Sequence, residues 1–441
     1  MSKTAQVMPN LPATRHGEGA LLAALPVDWA GETATRARAS VPLFQYPAMM
    51  VSPMQGALLD AVITWRGRPP RVIDPFVGSG TTMLEARRRG LHFTGVDINP
   101  LAILLCRVEA GEAHAYAIED HAEKVLARAK RSLSSTTRPC GAWATKWYRP
   151  DVALGMAALG AAIRNVAEVA VRRALWVALA ELARVTGNHR PGAPKLQTRP
   201  VEELAREIDV FARFASLALR TAAVVGERND ETRSAPAPPP HLLLDDARRL
   251  SSLGEKSDLL LTSPPYGDNH TTMPYGQVAF LPLRWIDLGD IDPDFDRSLT
   301  SASKSLDTAS LGGSLRVDTE AVARTVERSR SLLRVLARLG RTHVHARART
   351  AGFFCDLDEA FEAITKQLTP DAHAVLTLGS KTTYGVPVPT AAIVQELLES
   401  RGYRPLEQLT RRLGRNRRLP VRNERSTLIC EETVLVMQRT A

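Results

Sequence analysis

The chain has 441 residues, 44% of them hydrophobic and 24% charged, with a formal net charge of +10. Those are ordinary globular values, so wholesale disorder is excluded, and the length suits roughly two or three domains, or one domain with large insertions. No uninterrupted apolar run reaches the ~18 residues of a membrane helix, and Cys106, Cys140, Cys355 and Cys430 form no C-x-x-C pair, which argues against a disulfide scaffold or zinc ribbon and suits a reducing cytoplasm without a metal site.

Residues 1–40 are rich in Ala, Gly and Thr with mixed charge and read as a loosely ordered arm without a signal-peptide pattern. An apolar-periodic helix follows (Met54, Leu58, Leu59, Val62, Ile63), then a short buried strand, Arg71 to Asp74. A glycine-rich turn leads into a helix from Met83 to Arg89 that Gly90 stops. A second strand, Phe93 to Val96, also ends in an acid, Asp97. Strand, turn, helix and strand make one βαβ unit, which predicts a parallel sheet.

From about residue 111 to 240 the sequence is rich in Ala, Arg and Glu and helical in period, and it ends in the proline run Pro236 to Pro240. Strand signals return at His241 to Leu244, before Asp245 and Asp246, and at Leu259 to Leu261, before Thr262 and Ser263. A Ser/Asp/Gly-rich loop over 289–316, a helix from Thr319 to Leu339, a strand from Ala374 to Leu378, a helix from Ala391 to Ser400 and a strand from Thr433 to Met437 complete the pattern.

Two turns carry chemistry. In Asp74-Pro75-Phe76-Val77-Gly78-Ser79-Gly80-Thr81-Thr82, glycines permit positive φ and close approach of a ligand to the backbone, and the helix start offers free N–H groups. A dinucleotide fingerprint would need a third glycine where Met83 stands, and no G-K-[ST] triplet makes a P-loop. S-adenosylmethionine remains, with Asp97 placed where a ribose-binding carboxylate belongs. In Thr262-Ser263-Pro264-Pro265-Tyr266, two prolines stiffen the loop and leave carbonyls free. A free carbonyl beside the Ser263 hydroxyl suits the two donors of an exocyclic amine, and Tyr266 offers a stacking face. Pro139-Cys140, the other candidate for methyl-transfer chemistry, follows no buried strand and reads as ordinary.

These residues resemble the amino-methyltransferases of DNA, the family that methylates the exocyclic nitrogen of cytosine or adenine. Asp74 to Thr82 match the cofactor motif, Asp97 the acidic ribose motif, and Ser263 to Tyr266 the catalytic [D/N/S]-P-P-Y motif in the Thr-Ser-Pro-Pro-Tyr form typical of the cytosine-N4 branch. Asp246-Ala247-Arg248 resembles the third-strand motif that reads the cofactor adenine, and Phe44 to Ala48 the upstream motif over its methionine end. The resemblance implies a Rossmann-like α/β sheet formed by 41–110 and 241–441, with 111–240 as a helical insertion and a candidate DNA-contact or target-recognition region. It implies a sequence-specific DNA methyltransferase using S-adenosylmethionine, with cytosine N4 as target and adenine N6 or an RNA amine as alternatives. Ser263, Pro264, Pro265 and Tyr266 are then catalytic; Tyr46, Asp74, Phe76, Gly78, Gly80, Thr81, Thr82, Asp97, Asn99 and Asp246 hold the cofactor. Double-stranded DNA is the implied partner, base flipping the implied access route, and a cognate restriction endonuclease an accompanying protein. Residues 401–425 hold nine arginines and two glutamates; Arg411, Arg412, Arg415, Arg417 and Arg418 are the candidate phosphate contacts.

Overall fold

The computed structural model describes residues 25, 42–139, 141–190, 193, 195–412 and 431–440. Helix α1 (Ser52–Arg66) buries Met54, Leu58, Leu59 and Val62, and ends at Gly67, whose left-handed φ of 67° lets its N–H reach the Ile63 carbonyl. Then come β1 (Val72–Asp74), α2 (Thr81–Arg88), β2 (Phe93–Asp97) and α3 (Pro100–Glu109). Five helices follow: α4 (Ala115–Ser132), α5 (Ala142–Trp147), α6 (Pro150–Ile163), α7 (Val169–Thr186) and α8 (Val210–Ser234). The chain re-enters the sheet with β3 (His241–Leu244) and β4 (Ser257–Thr262), followed by α9 (Tyr275–Leu283), α10 (Ser305–Ala309), α11 (Thr319–Arg328), α12 (Arg330–Leu339) and α13 (Val344–Lys366). The last elements are β5 (Leu368–Gly379), a small β6 (Lys381–Thr383) and β7 (Val386–Val388) hairpin, α14 (Thr390–Glu399), β8 (Tyr403–Arg412) and β9 (Glu431–Arg439).

The main sheet runs β3-β2-β1-β4-β5-β9-β8. Strands β1 to β5 pair in parallel, and β9 lies antiparallel between β5 and β8. Alternation of side chains across the pleat splits the core in two. Leu259, Leu261, Val375, Val434 and Val436 face one side, with α1, α3 and the helical insertion. Leu260, Ala374, Leu376, Leu435 and Met437 face the other, against α12, α13 and α14. Each such buried Leu, Val or Met side chain contributes roughly 1.5–3 kcal/mol. This is the Rossmann-like α/β sheet that the sequence leads one to expect, and strand order reverses at β1 and β4. The C-terminal ends of adjacent parallel strands therefore flank a crevice.

The helices between β2 and β3 pack on one another and on the sheet's helical layer, α4 on α8 and α7 on both α3 and α9. Trp176 of α7 is fully buried, and its indole N–H donates to Asp290 Oδ2 at 2.7 Å, the carboxylate that also pairs with Arg172. Trp147 and Tyr148 are core residues.

Three expectations need correction. The helix expected from Thr319 to Leu339 is two helices. Ser329, at φ −133° and ψ 104°, ends α11 and caps α12, its hydroxyl accepting the Leu332 N–H at 3.1 Å. The loop expected over 289–316 contains short helical turns, and Asp307 of α10 accepts the Gly276 N–H at 2.7 Å, tying it to α9. Strand β8 occupies part of the arginine-rich stretch that charge density alone marked as a binding surface.

Candidate active site

A cleft of about 1560 Å³ opens at the C-terminal ends of β1, β2, β3 and β4. Both chemical turns reach it: Gly78 and Ser79 from one, Ser263 to Tyr266 from the other. The link between them is direct. The Thr262 hydroxyl, at the end of β4, donates to Asp74 Oδ1 at 2.6 Å, at the end of β1. The same oxygen accepts the Phe76 N–H at 3.1 Å, which shapes the start of the glycine turn. Burial pushes the Asp74 carboxyl up to about 6, against the lowering effect of the Thr262 bond.

Gly78 and Gly80 hold positive φ angles of 53° and 83°, conformations that glycine adopts without strain. The Gly78 N–H donates to Asp97 Oδ2 at 2.9 Å, and the Asn99 N–H to Asp97 Oδ1 at 2.9 Å. Asp97 thus receives one donor on each oxygen and keeps further acceptor capacity on both. Its burial raises the carboxyl to about 6. Asn99 caps α3 through the Leu101 N–H and donates from Nδ2 to the Tyr46 hydroxyl at 3.1 Å. Tyr46 stacks on Tyr275 with ring centroids 5.8 Å apart, giving the cleft an aromatic wall, and burial raises both phenols.

The expected cofactor residues Tyr46, Asp74, Phe76, Gly78, Thr81, Thr82, Asp97, Asn99 and Asp246 all line this cleft. Gly80 does not; it packs behind the turn, where an added Cβ would come within 3.0 Å of Cys106 Sγ. Asp246 is gripped by Arg248, which also reaches Asp356 at 3.2 Å. The donor set fits S-adenosylmethionine: a buried carboxylate for a diol, a glycine turn open to close approach and an aromatic wall.

At the second turn the Ser263 hydroxyl lies 3.0 Å from the Thr377 carbonyl oxygen and 3.3 Å from the Tyr266 hydroxyl. Tyr266 donates to Glu432 Oε1 at 2.9 Å. Its ring packs against Gly379, where any Cβ would overlap the ring. Beneath the turn, Asp268 is buried between Lys381 at 3.9 Å and Arg349 at 3.6 Å, and desolvation lowers the lysine. His270 beside it is also lowered, chiefly by burial.

Sequence reasoning missed Glu432 and Tyr275; neither stands in a motif, and each arrives from a distant strand or helix, whereas Gly379 begins the Gly379-Ser380-Lys381 piece that resembles the family in sequence. It also placed Arg411 differently from where it lies. Arg411 is 7% exposed and donates from Nε to Glu432 Oε2 at 2.9 Å, inside the cleft wall instead of on a solvated face. Arg412 pairs through its backbone with Glu431, and Arg415, Arg417 and Arg418 lie outside the described residues.

Among the described residues no helix is long and apolar enough to cross a membrane, and no His/Cys/Asp/Glu group could hold a metal ion. No protein-family model matches the chain. The chain is similar to the type II methyltransferase M.MvaI of Kocuria varians, with 23% identity over 410 residues that cover 88% of this chain and 87% of that protein. It is a distant relative of a methyltransferase.

Proposed function

We propose that the protein is a DNA methyltransferase that moves a methyl group from S-adenosylmethionine to the exocyclic N4 amine of cytosine. The observation that carries this reading is the single cleft shared by the Asp97-bonded glycine turn and the Ser263–Tyr266 turn. The similarity to a type II methyltransferase over most of both chains supports it. Asp97 would hold the cofactor ribose, and the turn before α2 its methionine end. When bound, S-adenosylmethionine supplies the methyl carbon: the amine nitrogen bonds to it as the carbon–sulfur bond breaks, the electron pair stays on sulfur, and nitrogen sheds one proton to water.

Ser263 Oγ and the Pro264 carbonyl would accept the two amine N–H groups and aim the nitrogen, a contribution of orientation and local electrostatics. Tyr266 would face the base once it is turned out of the duplex. The basic balance of the chain favours a polyanionic partner. The Ser-Pro-Pro-Tyr form favours cytosine by family analogy. The test is incubation with labelled cofactor and DNA or RNA, followed by mass spectrometry of the released nucleosides. N4-methylcytosine from DNA is the expected product; N6-methyladenine would move the target to adenine, product from RNA alone would move the substrate class, and no product would reject the reading.

A further inference from the structure

The catalytic turn is wired to the β8–β9 pair by groups whose hydrogen-bond roles are fixed by chemistry. An arginine guanidinium only donates, and an ionised carboxylate only accepts. Arg411 donates from Nε to Glu432 Oε2 at 2.9 Å, and both residues are shielded, at 7% and 9% exposure. The other oxygen, Oε1, lies 2.9 Å from the Tyr266 hydroxyl. Tyr266 must therefore spend its one proton on Glu432. It cannot donate to Ser263, 3.3 Å away. The Ser263 proton has two protein acceptors, the Thr377 carbonyl oxygen and the Tyr266 oxygen, so the serine lone pairs are left for the cleft.

We propose that Glu432, oriented by Arg411, is a positioning residue that sets the direction of hydrogen bonding at Ser263, so that this hydroxyl meets the substrate amine as an acceptor. The inference rests on the amine-methylation reading above. It implies a substrate nitrogen that brings its own N–H donor, and it gives Arg411 a role in catalysis in place of phosphate contact. Reversal of the polarity is the consequence to look for. In Glu432→Gln, Arg411 holds the amide oxygen and the amide NH2 turns to Tyr266. The phenolic proton then points at Ser263 and occupies a lone pair that the amine needs.

The experiment compares full-length wild type, Glu432→Gln, Tyr266→Phe and the double variant, with kcat, KM for DNA, cofactor Kd and melting temperature for each. Glu432→Gln should lower kcat by about tenfold or more while leaving cofactor Kd within about twofold. Tyr266→Phe removes the misdirected proton, so the double variant should return to the level of Tyr266→Phe alone. Glu432→Asp, still acceptor-only, should keep most of the activity. Should Glu432→Gln fail to fold, Glu432→Met frees the same proton and should likewise be relieved by Tyr266→Phe. An active wild type with Glu432→Gln at full kcat, or with the two losses simply multiplying in the double variant, overturns the inference. A wild type that moves no methyl group overturns the functional reading itself, and with it this one.

Discussion

Thr262 and Asp74 are 188 positions apart in sequence and 2.6 Å apart in space, hydroxyl to carboxylate, across the β1–β4 pair. That bond joins the last residues of two neighbouring strands, and the two chemical turns start from it. Both groups are buried, so water does not compete for the bond there.

Thr262→Val should therefore leave a buried carboxylate oxygen short of a donor. A loss of about 1–3 kcal/mol is expected, with weaker cofactor binding because the glycine turn loses its anchor. Urea unfolding and calorimetric titration with S-adenosylmethionine check both effects. Unchanged unfolding free energy would mean that the bond adds nothing to the fold.

On the proposed reading, the raised carboxyl of Asp97, at about 6, should make cofactor affinity depend on pH. A ribose diol donates better to a carboxylate than to a carboxylic acid. Affinity should rise as the pH climbs through about 6 and level off above it. In the ligand-free protein the sign is opposite. The folded chain holds a proton that the unfolded chain releases near its ordinary value of about 4, so this stabilisation is present at low pH and lost as the pH passes about 6. Asp97→Asn should remove its share of both slopes, read by titration calorimetry and urea midpoints from pH 5 to 8.

Gly379 leaves no room for a side chain because the Tyr266 ring occupies the space. Gly379→Ala should push the ring off the strand and lower kcat by about tenfold or more. Cofactor Kd should hold within about twofold, since Gly379 lies away from the glycine turn. A wild-type kcat would show that the ring's seat does not matter to the reaction.

Ser329 ends one helix and begins the next. Beyond the Leu332 N–H that it accepts, its hydroxyl donates to Glu396 Oε2 at 2.5 Å. Ser329→Ala should cost about 1 kcal/mol, in the range of a lost N-cap. Methyl transfer at a temperature well below the melting point should not change. Differential scanning calorimetry and a rate assay separate the two.

The strands that carry the cleft were legible because each is a short apolar run closed by a polar group: Asp74, Asp97, Asp246 after β3, and Thr262. The glycine turn and the Ser-Pro-Pro-Tyr turn were legible because glycines and paired prolines have restricted uses. Strand β8 was hidden because Arg404, Glu407, Arg411 and Arg412 break its apolar alternation at the sheet's edge. The break at Ser329 was hidden because apolar residues continue in helical period on both sides. Arg411 looked like a phosphate contact because a dense run of arginines is visible in composition, whereas Glu432 lies 21 residues on, across a strand pair. Pairing of that kind belongs to the fold and leaves no local trace.

Strands β2 and β3 are neighbours, with Thr94 opposite His241, although the six helices α3 to α8 separate them in the chain. The excursion therefore departs and returns at one place on the scaffold, like a module plugged into a socket. A lineage could exchange this module while the residues at the strand ends are inherited intact.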